Sequence, residues 1–397
     1  MGSQAWQIDA DLAGGNILVD RTDADSADVR QDMRDTEGWW FWWQFRVRGA
    51  QGRTLTFRHV HPKPSNNRYP FGRRGPAVSA DGGLTWSWLG AEAVGGADAP
   101  GAFKYAFAPE AAEVRFAFAQ PYVDADLRRF LASRAGCAHL ERRELCRSRK
   151  GRPVYRLHAG CLNGRPDVRV LITARHHACE SLAGFEIEGL LGSVLEDSDL
   201  GRWFQRHVEL MVVPFMDTDG VEEGDQGKNR RPRDHGRDYE GESLYAETRA
   251  LRELAPAWSE GKLRMAFDLH CPAPRDRVIQ IVGSSDPGMW EKQCRFARVL
   301  ESVAAGPLPY RSADDLPFGQ GFNTGGNYAG GKSCSRWAAG LPGVALVVGL
   351  EFPYAEAHDC EVTADKARLF GRDLTRAFRA YIEESQAKFG RQRPQPH

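Results

Sequence analysis

Residues 171–191, "LITARHHACESLAGFEIEGLL", pass from an apolar stretch through two adjacent histidines and a glutamate into an amphipathic stretch. With the preceding "VRV" the first stretch spans residues 168–174, rich in Val, Leu and Ile and barely alternating, as a strand covered on both faces should be. The same texture returns in "VELMVVPF" (208–215), "RMAFDLH" (264–270), "VIQIVG" (278–283) and "VALVVGLEF" (344–352). Strands that alternate with helical segments define an α/β sheet flanked by helices. Its first helix is predicted in "PYVDADLRRFLASRAG" (121–136) and its last in "TADKARLFGRDLTRAFRAYIEE" (363–384), so this domain is expected over residues 122–386. A polar tail, 387–397, is expected to be disordered.

Upstream the texture differs. "WWFWWQFRVRG" (39–49) sets Trp43, Phe45 and Val47 against Gln44, Arg46 and Arg48, and "FKYAFAPEAAEVRFAFAQ" (103–120) alternates in the same way. These are half-buried strands, and the Asp-Gly in "SADGGLTWSW" (79–88) is a hairpin signal. Residues 1–121 therefore read as a small antiparallel β-sandwich ahead of the α/β domain. A chain of 397 residues is long enough for both.

Composition excludes several classes. Lys and Arg total 53, balanced by 53 Asp and Glu, and no basic run stands out, which argues against a nucleic-acid partner. The N-terminus lacks a signal-like apolar core and no run approaches a membrane span, so no membrane partner and a cytoplasmic location are expected. Eight cysteines without CxxC spacing fit reduced thiols. Oligomeric state is not legible.

His177 and Glu180, spaced i, i+3, fall on one face of a helical turn, and imidazole with carboxylate is a donor pair suited to Zn²⁺. "RMAFDLH" ends in His270 and "VALVVGLE" in Glu351. Ligands in open α/β sheets bind beyond the carboxyl ends of strands, where His177, His270 and Glu351 would meet. Two histidines and one glutamate leave a zinc ion an open position for water, and a second glutamate, Glu351, would act as general base. Asp268, two residues before His270, shares its face and is expected to orient the site. His176 is expected to be a hydrogen-bonded neighbour, with Cys179 and Cys271 as small buried apolar residues. "DTDGVEEGDQGK" (217–228) lacks the later ligands of a calcium loop, and "GQGFNTGGN" (319–327) is a loop without the strand and helix of a phosphate cradle.

"RHHACE", "PFMDTDGVEEGD", "RDHGRDY", "FDLH" and "VVGLEFPY", in this order, resemble the zinc carboxypeptidases, and specifically their cytosolic branch, which carries a β-sandwich ahead of the catalytic domain. "GGNILVD", "FWWQFRV" and "FAFAQPYVDADLRRFL" resemble that branch's N-terminal module and junction. The resemblance implies one Zn²⁺ per chain on His177, Glu180 and His270, Glu351 as general base, and a peptide or protein C-terminus as substrate. It also implies that Arg237 clamps the substrate carboxylate and that Tyr328 is a tyrosine that closes over substrate. The family's oxyanion arginine falls on Gly227 and the partner of its carboxylate clamp on Gly236. Lys228, Arg230 or Arg231 must then supply the charge, with Arg230 and Arg231 favoured because a planar fork suits oxyanion recognition. Arg336 falls where the family lines the pocket for the C-terminal side chain, and an arginine there would select Glu or Asp. Two alternatives remain at this point, a zinc-dependent N-acyl amino acid deacylase and a noncatalytic binding protein on the same scaffold.

Overall fold

A computed structural model describes residues 6–37, 40–60, 70–95 and 101–390. Nine strands are described in the N-terminal part: β1 (Gln7–Asp9), β2 (Leu18–Thr22), β3 (Ser26–Arg30), β4 (Gln44–Arg48), β5 (Thr54–His59), β6 (Ala77–Ser79), β7 (Ser87–Trp88), β8 (Ala102–Ala106) and β9 (Glu113–Ala117). They form a five-stranded sheet, β1-β4-β9-β6-β7, and a four-stranded sheet, β2-β3-β5-β8. Trp43, Phe45, Phe57, Phe103 and Phe116 are buried, with Phe45 and Phe103 each about one ring width from Phe57, at 5.3 and 5.1 Å. Alternation thus works as expected: the aromatics point inward while Arg46 and Arg48 reach outward to Asp9. One correction applies. β3 and β5 pair in parallel, because β4, between them in the chain, belongs to the other sheet and returns the chain in the same direction.

After α1 (Asp124–Ala132), a seven-stranded sheet holds β10 (Leu140–Arg147), β11 (Pro153–Gly160), β12 (Val168–Ala174), β13 (Val208–Val213), β14 (Leu263–His270), β15 (Gln280–Val282) and β16 (Leu346–Glu351) in the order β10-β11-β13-β12-β14-β16-β15. The four central strands are parallel, and each is the non-alternating run read from the sequence. β15 and the β10–β11 hairpin close the two edges antiparallel. That hairpin escapes the periodicity reading because β10, "LERRELCR", is largely exposed and carries five charged residues in eight.

Helices α2 (Leu182–Leu195), α3 (Asp199–His207), α4 (Thr218–Glu223), α5 (Ala246–Ser259), α6 (Pro287–Val303), α7 (Cys334–Ala338) and α8 (Ala364–Gly390) surround the sheet. α2 and α8 cross closely at paired glycines. A Cβ on Gly189 would lie 1.8 Å from the Arg368 carbonyl oxygen, and one on Gly371 would lie 2.0 Å from that of Glu186. α8 continues to Gly390, four residues into the expected tail, and residues 391–397 lie outside the described residues. Among the described residues no helix is long and apolar enough to cross a membrane.

Candidate active site

β12, β14 and β16 lie side by side, and their register places Thr173 opposite Asp268, Asp268 opposite Gly349, and His270 opposite Glu351. The chain leaves β12 through Arg175, whose φ of 60° turns it sharply. The Arg175 guanidinium is buried and donates to the carbonyls of Ala178, at 2.9 Å, and Tyr122, at 2.8 Å, which secures residues 176–180 as a turn ahead of α2. His177 and Glu180 therefore face each other across a turn of loop, not within a helix.

His177, Glu180 and His270 come together, with one candidate ligand atom from each lying within 4.8 Å of the others. Glu180 is the hub. His177 Nδ1 is 2.9 Å from its Oε1 and His270 Nδ1 is 2.8 Å from its Oε2. Burial opposes the Glu180 charge, but His177, Lys228 and His270 outweigh it and hold the carboxyl well below its usual range. Two imidazole nitrogens and a carboxylate converging in this way fit a divalent transition metal. A second group, His176, Asp268 and His270, also has ligand spacing. It lies deeper: His176 is fully buried, with its Nδ1 2.8 Å from Asp268 Oδ1 and its Nε2 2.8 Å from the Tyr239 hydroxyl, whereas His177 and His270 keep 12% and 15% of their side chains exposed. Asp268 also receives Thr173 Oγ1 and lies 2.9 Å from His270 Nε2, leaving Nδ1 aimed at Glu180.

Glu351 stands at the same strand end. Its Oε2 is buried and has no hydrogen-bond partner among the described residues. Burial pushes its carboxyl up, moderated by His270 and Lys228. On the other side of His177, Asp234 lies 3.7 Å from Nε2.

The expected oxyanion arginines are not part of this cluster. The Arg230 guanidinium reaches Asp217, Asp225 at 2.7 Å and Asp35 at 3.0 Å, and lines a separate cavity of about 500 Å³ with Tyr245 and Glu247. Arg231 is exposed and pairs with Glu37. Lys228 is the cation at the site, with Nζ 3.0 Å from Glu180 Oε1 and donating to the Cys271 carbonyl at 2.7 Å. Arg237 packs against Tyr328, its Cζ 5.2 Å from the ring centre, and Arg336 lies over the same ring at 3.6 Å. The Tyr328 hydroxyl donates to the buried Asn323 at 2.9 Å. Arg336 lines a cavity of about 310 Å³ with Tyr328, Ser284, Ser285 and Gly349, the last sharing a strand face with Glu351.

The architecture is shared almost end to end with solved structures. A metallo-carboxypeptidase from Burkholderia cenocepacia superposes with a TM-score of 0.77 at 20% identity, covering 96% of this chain and 99% of the other. The fold is that of the metallocarboxypeptidases. A metallo-carboxypeptidase from Pseudomonas aeruginosa, solved with (2-guanidinoethylmercapto)succinic acid, matches at a TM-score of 0.75 and 20% identity over 95% of this chain and 99% of its own. At the sequence level, cytosolic carboxypeptidase 2 of Xenopus tropicalis is 31% identical over 133 residues, 31% of this chain and only 14% of that relative. No family profile matches the chain. Within this metallocarboxypeptidase fold, Lys228 is one of the three cations the sequence offers but the less favoured, because Arg230 and Arg231 look better suited, and the hydrogen bonds of Arg175 have no signal beyond its place in "RHHACE". Tyr239 and Asp234 are visible only through their position in "RDHGRDY".

Proposed function

We propose that the chain is a zinc-dependent carboxypeptidase that removes C-terminal residues, acidic ones by preference. The observation that carries this reading is Glu351, whose buried Oε2 has no hydrogen-bond partner among the described residues, in register with His270 beside the His177, Glu180 and His270 donors. Zinc held by these three residues would acidify water and draw electron density from the scissile carbonyl. Glu351 takes the proton that water gives up as its oxygen bonds to the carbonyl carbon, and returns it to the amine as the carbon–nitrogen bond breaks. Asp268 and His176 keep His270 turned toward Glu180.

Arg336 supports the acidic preference, since it lines the cavity next to Gly349 and has an aromatic ring as its neighbour. A Glu or Asp side chain there would gain a bidentate partner, whereas an apolar one would leave the charge unpaired. Arg237, on the other side of Tyr328, is the proposed clamp for the terminal carboxylate. Residues 1–121 and 122–386 act as two domains, and eight unpaired cysteines suit a reducing cytoplasm.

The test compares zinc-loaded protein on peptides ending in Glu, Lys and Phe and on N-acyl amino acids. Cleavage of the Glu peptide at least tenfold faster than the others, lost in Arg336→Ala, is expected. Hydrolysis of N-acyl amino acids alone would replace the carboxypeptidase reading with a deacylase.

A further inference from the structure

The strand-end site does not belong to the α/β half alone. The segment that carries Lys228, residues 222–231, is held along its length by the N-terminal half. Gly14 N donates to the Glu222 carbonyl at 2.9 Å, Asn16 Nδ2 to that of Gly224 at 2.9 Å, and Arg34 to the Glu223 carbonyl and Asp225 at 2.6 Å each. Past Lys228, Arg231 N donates to the Asp35 carbonyl at 2.9 Å. The central contact is Gln226, whose buried side-chain oxygen accepts from the backbone N–H groups of Phe41, at 2.7 Å, and Trp42, at 3.2 Å. The Gln226 carbonyl in turn accepts from Cys179 N at 3.0 Å, inside the turn between His177 and Glu180.

Gly227 then passes so close to that turn that a Cβ would lie 2.5 Å from Ala178 N and 2.9 Å from His177 Cα, and its φ is +81°. No side chain fits there. This is why the position the resemblance gives to an arginine cannot hold one, and the next residue, Lys228, is delivered to the site in its place. Its Nζ lies over the Phe41 ring, 6.0 Å from the ring centre.

We propose that Lys228 is a catalytic residue, donating a hydrogen bond to the scissile carbonyl oxygen as charge develops on it, and that Gln226, locked to Phe41 and Trp42, is the positioning residue through which the N-terminal half places it. The proposal rests on the hydrolase reading above and explains why a β-sandwich accompanies this site. Lys228 is a point charge on a flexible stem, so its effect depends on being held, which the Gln226 lock supplies.

Lys228→Met, Lys228→Arg and Gln226→Ala are made in the full chain and assayed on the best peptide of the series above, alongside zinc content. Lys228→Met is expected to lower kcat by about 10²-fold or more, with KM changed less and zinc retained. Lys228→Arg should recover part of the loss. Gln226→Ala should lower kcat in the same sense and, in the zinc-free chain, speed amide hydrogen exchange over residues 224–231. A kcat for Lys228→Met within a few-fold of the parent, or a loss of zinc in proportion to activity, overturns the catalytic assignment of Lys228. Unchanged exchange in Gln226→Ala overturns the positioning role. Zinc-loaded parent that cleaves no peptide overturns instead the hydrolase reading, and the exchange measurement still decides whether the lock exists.

Discussion

His59 and His270 are two largely buried imidazoles, one in each half of the chain, and their surroundings drive them in opposite directions. His59 sits among rings, 4.3 Å from Trp43 and 5.2 Å from Phe71 between centres, and neither ring nitrogen has a partner among the described residues. Burial there lowers its pKa from 6.5 to about 3, so it packs as a neutral, aromatic-like side chain. His270 meets the same burial cost, but Asp268 and Glu180 more than offset it and raise its pKa well above the ordinary value. Burial by itself therefore says little about what a histidine does. The distinguishing feature is the carboxylates: among the described residues the N-terminal core supplies none to His59, and the sheet edge supplies two to His270.

Breaking the polar side of this contrast should have the larger consequences. Glu351→Gln keeps the shape of the site but cannot accept a proton. Turnover is expected to fall by about 10³-fold or more, with zinc still bound. Activity within a few-fold of the parent would assign the base elsewhere. Asp268→Asn removes the charge shared by His176 and His270, and zinc affinity should drop by roughly 10- to 100-fold, read by competition with a chelating dye. An unchanged affinity would reduce Asp268 to a packing residue.

The apolar side predicts a smaller effect that depends on pH. Because the folded-state pKa of His59 lies below its unfolded value of 6.5, its neutral form stabilises the fold fully above that pH. As pH falls from about 6.5 toward about 3 the contribution is lost, at up to about 1.4 kcal/mol per unit. His59→Phe should therefore flatten the decline in thermal midpoint between pH 7 and pH 5. Equal declines in parent and variant would show that His59 is solvated or paired in solution.

Strand identity and the strand-end placement of these residues were legible because both are local. Val168–Ala174, Val208–Val213, Leu263–His270 and Leu346–Glu351 declare themselves by unbroken apolar texture, and in a parallel sheet that is enough to bring His177, His270 and Glu351 to one edge. Loop paths were not legible, because they are set by contacts far apart in the chain. Arg230 looked the better oxyanion donor by chemistry, yet Asp35, Asp217 and Asp225 claim it, while Lys228, beside the Gln226 that accepts from the Phe41 and Trp42 amides, lies at the strand end. The β10–β11 hairpin was missed for a related reason: an exposed, charged edge strand has no apolar rhythm to read. The parallel pairing of β3 with β5 depends on β4 crossing to the other sheet, which no local pattern encodes.

The central claim, that the carboxylate-rich edge is a metal centre built on His177, Glu180 and His270, is tested most directly by metal stoichiometry. Metal-free chain titrated with Zn²⁺ is followed by calorimetry and elemental analysis, in parallel with His270→Ala. The account predicts one zinc per parent chain, with protons released on binding because zinc takes imidazole only in its neutral form, and loss of that zinc in the variant. Full zinc occupancy in His270→Ala, or no zinc bound by the parent, would contradict it.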